Sequence, residues 1–134
     1  MKNNLKIFFT IFFLCASTAK VFAVEDFIFE SKSIEIKDNN NITAKDGVKA
    51  TTSDGLEIFA DQSEYSKDTK ILILDKNVVI LDKIQKLEIS SDNITYNRLL
   101  EEIKSNIKTE IKINDSHVLL GENVIFLRSK FKIY

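Results

Sequence analysis

Short segments in which apolar and polar residues alternate recur along the chain, for example at residues 33–37 and 56–58. Asp46-Gly47 and Asp54-Gly55 lie between such segments, and Asp-Gly is a strong signal for a β-hairpin turn. A further turn is predicted at Gly121-Glu122-Asn123. Segments separated by roughly 8–12 residues predict an all-β protein.

Two runs, residues 71–74 and 78–81, are apolar at every position instead of at alternate ones. Such runs are typical of strands that are covered on both faces. The residues between them, Asp75-Lys76-Asn77, are predicted to form a hairpin turn. The sequence leaves open whether the second cover is protein or a ligand.

The stretch from residue 99 to 113 fits two patterns. Leu99, Ile103 and Ile107 recur every four residues, as on a helix. From 103 to 113, however, the odd positions are isoleucine or small hydroxyl residues, and every even position is charged or an amide. The second pattern has a period of two and extends over eleven residues. We therefore predict a strand from about Glu102 to Ile113, with at most one helical turn before it.

One phrase occurs twice, at residues 56–65 and 87–96, with Leu, Glu, Ile, Asp and Tyr at the same offsets. Ile58 and Tyr65 are an odd number of positions apart, so a flat strand would place them on opposite faces. A β-bulge near Asp61 and Asp92 would return the tyrosines to the isoleucine face. The two aspartates are predicted to accept bonds from local backbone N–H groups; a catalytic carboxylate pair is disfavoured because no partner acid is singled out.

The beginning of the chain has the layout of a secretory signal peptide. Lys2 and Lys6 precede an apolar run at 7–16, and Val21-Phe22-Ala23 is a small-residue cleavage site. The run of about ten residues is too short for an uncleaved anchor, which needs roughly 20, and Cys15 lacks the small residues that precede a lipoprotein cysteine. We predict a signal peptide at 1–23 and one domain at 24–134.

Cleavage leaves 16 positive and 20 negative residues, a net charge of −4. This mildly acidic balance disfavours binding to nucleic acid. No cysteine would remain, which excludes disulfides, thiol catalysis and Cys-zinc sites. His117 has no second histidine or cysteine to complete a metal site, so a solvated or hydrogen-bonded strand-end histidine is expected. We expect no metal, no cofactor and no enzymatic activity.

The phrases at residues 42–48, 56–65, 77–80 and 87–96 resemble the OstA-like family of lipopolysaccharide transport proteins. That family includes the periplasmic bridge protein and the N-terminal domain of the outer-membrane translocon. The resemblance implies an antiparallel β-jellyroll of two sheets that form an open V-shaped apolar groove. It extends from about Ser33 to the end of the chain.

The identity within the family stays open. Residues 108–115 and 121–124 resemble the translocon domain more than the free bridge, and a membrane-anchored relative is a third reading. Residues 131–134 look like the beginning of a third copy of the repeated phrase, which predicts a domain truncated at its C-terminus.

The resemblance implies a periplasmic module that shields lipopolysaccharide acyl chains in transit to the outer membrane. Its expected partners are lipopolysaccharide, other jellyroll modules joined by edge-strand pairing, and the outer-membrane translocon. The alternative is an exported β-sandwich scaffold or adhesin-like domain that binds protein and no lipid. The candidate edge strands contain Phe27, Phe29, Phe131 and Ile133. The candidate groove residues are Ile34, Ile36, Val48, Ile58, Val78, Ile80, Ile89, Ile111 and Ile113.

Overall fold

Ten β-strands and one 3-10 turn make up the part of the chain that the structure describes. The computed structural model describes residues 27–114 and 116–134, so the predicted signal peptide lies outside the described residues. Within these ranges no helix has the length and hydrophobicity needed to cross a membrane. The elements are β1 (Ile28–Lys37), β2 (Asn41–Thr51), β3 (Leu56–Ser66), β4 (Ile71–Asp82), β5 (Leu87–Asn97), β6 (Glu102–Ser105), β7 (Thr109–Ile113), β8 (His117–Gly121), β9 (Val124–Leu127), the 3-10 turn Arg128–Lys130 and β10 (Lys132–Ile133).

The strands form one antiparallel hydrogen-bonded sheet, where two sheets were expected. β1 to β5 pair consecutively in a meander. On its other edge β5 has two partners: its first residues pair with β7 and its last residues pair with β6. The sheet continues by pairing from β7 to β8 and from β6 to β9, and β10 pairs with β9. The prediction of an all-β antiparallel protein is confirmed.

The strand predicted from Glu102 to Ile113 is present as β6 and β7, which both lie along β5 and are interrupted at 106–108. Ile103, Ser105, Thr109 and Ile111 are buried, so the period of two determines which side chains point inward. The helical alternative for residues 99–107 is wrong.

A row of β-bulges crosses the middle of the sheet. β2 has Asp46-Gly47 where β3 has only Asp61, and β4 has Lys76-Asn77 where β5 has only Asp92. All four bulge residues have positive φ, from 50° to 87°. The bulge row continues at the next strands. Three residues, 106–108, lie between β6 and β7, whereas only two, 122–123, lie between the neighbouring β8 and β9. This bulge row divides the sheet into a first half, where β3 and β5 begin, and a second half, where they end.

The hairpin turns predicted at Asp46-Gly47 and Asp75-Lys76-Asn77 are therefore wrong. Both lie inside single strands, β2 and β4. Residues that tolerate positive φ suit a bulge as well as a hairpin, and the sequence pattern does not separate the two uses. The turn predicted at Asp54-Gly55 is confirmed, since it joins β2 to β3. The turn predicted at Gly121-Glu122-Asn123 is wrong, because β8 and β9 follow each other in the same direction opposite β7 and β6, and these residues lie at the bulge row.

The repeated phrase begins β3 and β5, and the predicted bulges near Asp61 and Asp92 are confirmed. In β3 the buried positions are even up to Ala60 and odd from Ser63 onward. β5 changes in the opposite sense after Asp92. Tyr65 and Tyr96 are consequently buried on the same face as the isoleucines of their strands. The repeat is the sequence signature of a strand that is kinked at its centre.

The sheet is bent back on itself along the bulge row. At about 3.3 Å per residue, a straight β3 would be roughly 35 Å long. Asp54 precedes one end of β3 and Arg98 lies at the level of its other end, so the two side chains could not meet across a flat sheet. The Arg98 guanidinium instead donates a hydrogen bond of 2.9 Å to the Asp54 carboxylate. Phe27, in the first half, packs against Tyr65 and Tyr96 of the second half, with ring centroids 5.1 Å and 5.8 Å apart. The inner face of the bent sheet is the core.

Candidate functional site

An aliphatic row crosses the inner face of the first half. Residues that lie directly opposite one another on neighbouring strands share a face, and the pairs Ala50–Ile58, Ile58–Ile80, Ile80–Ile89 and Ile89–Ile111 continue from β2 to β7. All five side chains are buried. They form one continuous apolar band across the strands.

An aromatic row crosses the inner face of the second half. Tyr65 pairs with Leu72, Leu72 with Tyr96, Tyr96 with Ile103, and Ile103 with Phe126. All five are buried in the same hydrophobic cluster as the aliphatic row. Sequence reasoning missed this row as part of the site, although the tyrosine that closes each repeat was a signal for it.

The predicted groove residues fall into two groups. Five of them belong to the hydrophobic cluster and are at most 2% exposed, Ile113 packs against that cluster, and Val48 is buried outside it. The expected open trough at these positions is not present in this conformation, because protein covers the side chains. The five cluster members are Ile58, Val78, Ile80, Ile89 and Ile111.

Ile34 and Ile36 behave differently from the others. Ile34 pairs with the buried Ala44 and Ile36 pairs with Ile42, so both side chains belong to the inner face. They are nevertheless exposed, Ile36 to 60%, and β1 is a terminal strand of the described sheet. At the other side of the sheet, Leu119 of β8 continues the aliphatic row from Ile111 and is 45% exposed. The inner apolar face therefore emerges into solvent at both sides of the molecule.

The structure places two of the four predicted edge residues on terminal strands of the sheet. β1 and β10 are terminal strands of the sheet, and Phe29 and Ile133 lie on them. Phe27 is instead buried in the core, and Phe131 lies between the 3-10 turn and β10 in a left-handed conformation. The unpredicted edge is β8, which pairs only with β7 among the described strands. It was missed because its three central residues, 118–120, are apolar without alternation.

Five charged side chains join the two halves at the rim opposite the bulge row. We call this group, Asp54, Asp82, Arg98, Glu101 and Arg128, the clasp. Asp54 and Asp82 adjoin turns of the first half, whereas the two arginines and Glu101 adjoin turns of the second half. These residues are up to 74 positions apart in the chain, which is why no local sequence pattern identifies them.

Both arginines of the clasp make several bonds. The Arg98 Nη1 donates to Asp54 Oδ2 at 2.9 Å and to Glu101 Oε1 at 2.5 Å. Arg128 Nη1 donates to the same Asp54 oxygen at 2.5 Å and to Glu101 Oε2 at 2.9 Å, and its Nε donates to Asp82 Oδ2 at 2.6 Å. Each carboxylate of Asp54 and Glu101 thus bridges two guanidinium groups.

The electrostatics of the clasp favour its charged form. Partial burial of Asp54 acts to raise the pKa of its carboxyl, but hydrogen bonds led by that from Arg98 outweigh burial and hold this pKa well below its usual range. Burial raises the pKa of the neighbouring Tyr96 phenol, so Tyr96 stays neutral and its hydroxyl accepts a bond from Arg98. The clasp thus combines two guanidinium groups with three carboxyl groups.

The remaining candidates have structural roles. Asp61 and Asp92 do not bind local backbone N–H groups as predicted; both instead accept bonds from Asn77 in the bulge of β4, one from its side-chain amide and one from its backbone N–H. His117 is exposed at the beginning of β8 and bonded to Ser116, which confirms the hydrogen-bonded strand-end reading. Within residues 27–114 and 116–134, no group of three or more His, Cys, Asp or Glu side chains is arranged so that it could hold a metal ion.

Comparison with protein-family models identifies a family for this chain. A family model described as OstA-like protein matches residues 19–127. This range contains β1 to β9, both rows of the inner face and all of the clasp except Arg128. No curated protein is similar enough to the chain to count as a match.

Proposed function

The chain belongs to the OstA-like protein family, and from this premise we propose that it is a lipopolysaccharide-transport module whose inner face carries acyl chains. The observation that carries the proposal is the emergence of the inner apolar face at both sides of the sheet, at Ile34 and Ile36 on β1 and at Leu119 on β8. If the inner face served only as a core, its residues on the edge strands would be buried as well. The proposed role is non-enzymatic and periplasmic, after export by the signal peptide.

Both halves of the sheet suit this role. On this proposal the bent sheet would be the β-jellyroll of the family in a closed form, with the bulge row as the base of the V and the clasp across its opening. The aliphatic and aromatic rows would be its two walls. Acyl chains would lie along the rows, which run across the strands from β1 toward β8.

The energetics favour passage over storage. Each acyl CH₂ moved from water to an apolar wall gains about 0.8 kcal/mol, so several chains would be held too tightly to leave for water. A second surface of the same kind removes this obstacle, because the lipid exchanges one apolar wall for another at little net cost. The module therefore functions as one member of a series of like modules.

The exposed ends of the inner face lie on edge strands, which are the parts of a sheet that can accept another strand. Among the described strands, one edge of β8 is unpaired beside Leu119 and one edge of β1 is unpaired beside Ile34 and Ile36. Pairing of β8 in one module with the first strand of the next would align the inner faces of both. The proposed partners are other jellyroll modules of the bridge and the outer-membrane translocon.

The test uses two adjacent leucines of β8 that differ only in their face. Leu119 is opposite Ile111 and belongs to the inner face, whereas Leu120 is opposite Glu110 and belongs to the outer face; both are exposed. The mature chain is purified after export in a lipopolysaccharide-producing bacterium, and the co-purified lipopolysaccharide is quantified. Leu119→Glu should lower that amount at least fivefold, and Leu120→Glu should leave it unchanged. Equal effects of the two substitutions would contradict the proposal.

One observation favours a second candidate function, a protein-binding scaffold without lipid. The interior is filled by its own side chains, and Val118 and Leu120 add two exposed apolar residues to the outer face of the β8 edge. Under this alternative the wild-type protein would carry no lipopolysaccharide and would still assemble through β8. In that case Leu120→Glu would disrupt the assembly as strongly as Leu119→Glu.

A further inference from the structure

We infer that the clasp is a latch: it holds the two halves of the sheet together, and lipid reaches the interior only when the clasp opens and the sheet unbends at the bulge row. This inference rests on the proposed function, since it concerns access to the same inner face. The five residues of the clasp, the row of bulges and the complete burial of both rows carry it together.

The closed conformation requires an opening step. The five buried members of the predicted groove are at most 2% exposed, so an acyl chain cannot touch them while the halves are in contact. The strands run unbroken through the bulge row and pair on both sides of it, so the backbone closes the molecule on that side. The rim held by the clasp is the side at which the halves can separate.

Side chains hold this rim together. Where the described turns meet, the backbone bonds join neighbours of one half, such as Arg98 N–H to the Lys70 carbonyl at 2.9 Å and Asn114 N–H to the Lys86 carbonyl at 2.9 Å. The bonds between the halves come from Arg98, Arg128 and Gln85, whose amide donates to the Arg128 carbonyl at 3.0 Å. Separation of the halves therefore breaks no strand pairing at this rim.

The bulge row is suited to act as the hinge. Regular ladder pairing is interrupted at the same level in every neighbouring pair from β1–β2 to β4–β5. Asp46, Gly47, Lys76 and Asn77 all adopt positive φ there. A change of bend at this level alters the conformation of bulge residues and leaves the pairing on both sides intact.

Ionic groups make a reversible latch. A charge pair that is buried gains from its partner but loses hydration, so its net contribution is smaller than its number of bonds suggests. When the halves separate, both arginines and all three carboxylates return to water and recover that hydration. Opening uncovers the two apolar rows in either case, and the proposed acyl chains would cover them; an apolar seam at the rim would add further hydrocarbon to the exposed surface, with no gain in hydration.

The test locks the rim with two exposed residues outside the clasp. Ile84 follows Asp82 in the first half, Leu99 follows Arg98 in the second half, and both side chains are exposed. The mature Ile84→Cys/Leu99→Cys protein is joined with a flexible bis-maleimide whose spacer is cleaved by reduction. Binding of fluorescent lipopolysaccharide should fall at least tenfold in the locked protein and return after cleavage. The matched control, Thr69→Cys/Leu99→Cys, joins two turns of the second half and should bind lipopolysaccharide normally.

A second measurement separates the latch from the proposed function, because it needs no ligand. Hydroxyl-radical labelling of the side chains of Tyr65 and Tyr96, which are buried in the closed form, should fall at least threefold when the rim is locked. Unchanged labelling, or equal lipopolysaccharide binding by the locked and cleaved protein, would overturn the latch and leave the proposed function standing. If the unlocked protein bound no lipopolysaccharide, the proposed function would fail, and the latch as a control of lipid access with it.

Discussion

Replacement of Arg128 by methionine is the most informative test of how the bent sheet is held closed. The Arg128 guanidinium contacts the carboxylates of Asp54, Asp82 and Glu101 and the backbone carbonyl of Asp54. Its loss leaves Asp82, which is 2% exposed, without its cationic partner. One arginine would then face three carboxylates. Methionine keeps much of the apolar stem, so packing changes little.

The expected cost is large because a buried charge loses its partner. Removal of one member of a buried ion pair costs about 3–5 kcal/mol. With an m-value of about 1.5 kcal/mol per molar urea, this corresponds to a fall of roughly 2–3 M in the unfolding midpoint. The measurement is urea unfolding of the mature chain at neutral pH, followed by circular dichroism.

The control is Lys112→Met, which also removes a cation with two carboxylate contacts. Lys112 is bonded to Glu88 at 2.9 Å and to Glu110 at 3.2 Å, but its side chain is 42% exposed. Exposed ion pairs contribute about 0–1 kcal/mol, so the control should hardly move the midpoint. A cost below about 1 kcal/mol for Arg128→Met, equal to the control, would refute the buried, closed rim on which the bent sheet depends.

Three further outcomes are expected from urea unfolding. The pKa of Asp54 in the folded protein lies below its unfolded value of 3.8. The stability that this carboxylate contributes is therefore complete above pH 3.8 and is lost as the pH falls through the folded pKa. Below pH 4 the urea midpoint should fall less steeply in Asp54→Asn than in wild type. Ile58→Ala should cost about 2–5 kcal/mol because it leaves a core cavity, whereas Ile36→Ala, at an exposed position, should cost less than about 0.5 kcal/mol. Gly47→Ala should cost about 1–2 kcal/mol from backbone strain alone, since φ is 87° there and nothing lies within 4 Å of the added Cβ; a cost near zero would exclude the bulge geometry.

Local patterns predicted the strands and their kinks well. The alternation at 103–113 defined β6 and β7, and the odd spacing from Ile58 to Tyr65 predicted the bulge opposite Asp61. Both inferences depend only on which face successive residues occupy. The hairpins predicted at Asp46-Gly47 and Asp75-Lys76-Asn77 were wrong because positive φ serves a bulge and a turn equally well.

The candidate site was predictable only where it follows strand alternation. Five of the nine predicted groove residues belong to the shared cluster, because inward positions of a strand can be deduced from its own sequence. The clasp could not be predicted in this way. Asp54 and Arg128 meet only because the sheet bends, and bending is a property of all strands together.

The exposure of Ile34 and Ile36 could not be predicted either. Their alternation with Ser33, Glu35 and Lys37 is the same as that of buried isoleucines. Whether an inward side chain is covered depends on how far the opposite half extends. The two residues are therefore the point at which the structure adds most to the prediction of the groove.

The central claim, that acyl chains lie on the inner face, is tested most directly by photo-crosslinking in living cells. A benzophenone amino acid is placed at Ile36 or Leu119, which lie on the inner face. As controls it is placed at the adjacent Glu35 or Leu120, which lie on the outer face; all four positions are exposed. The account predicts adducts whose mass includes lipopolysaccharide at Ile36 and Leu119 and none at Glu35 and Leu120. Adducts with lipopolysaccharide at all four positions, or at none, would contradict it.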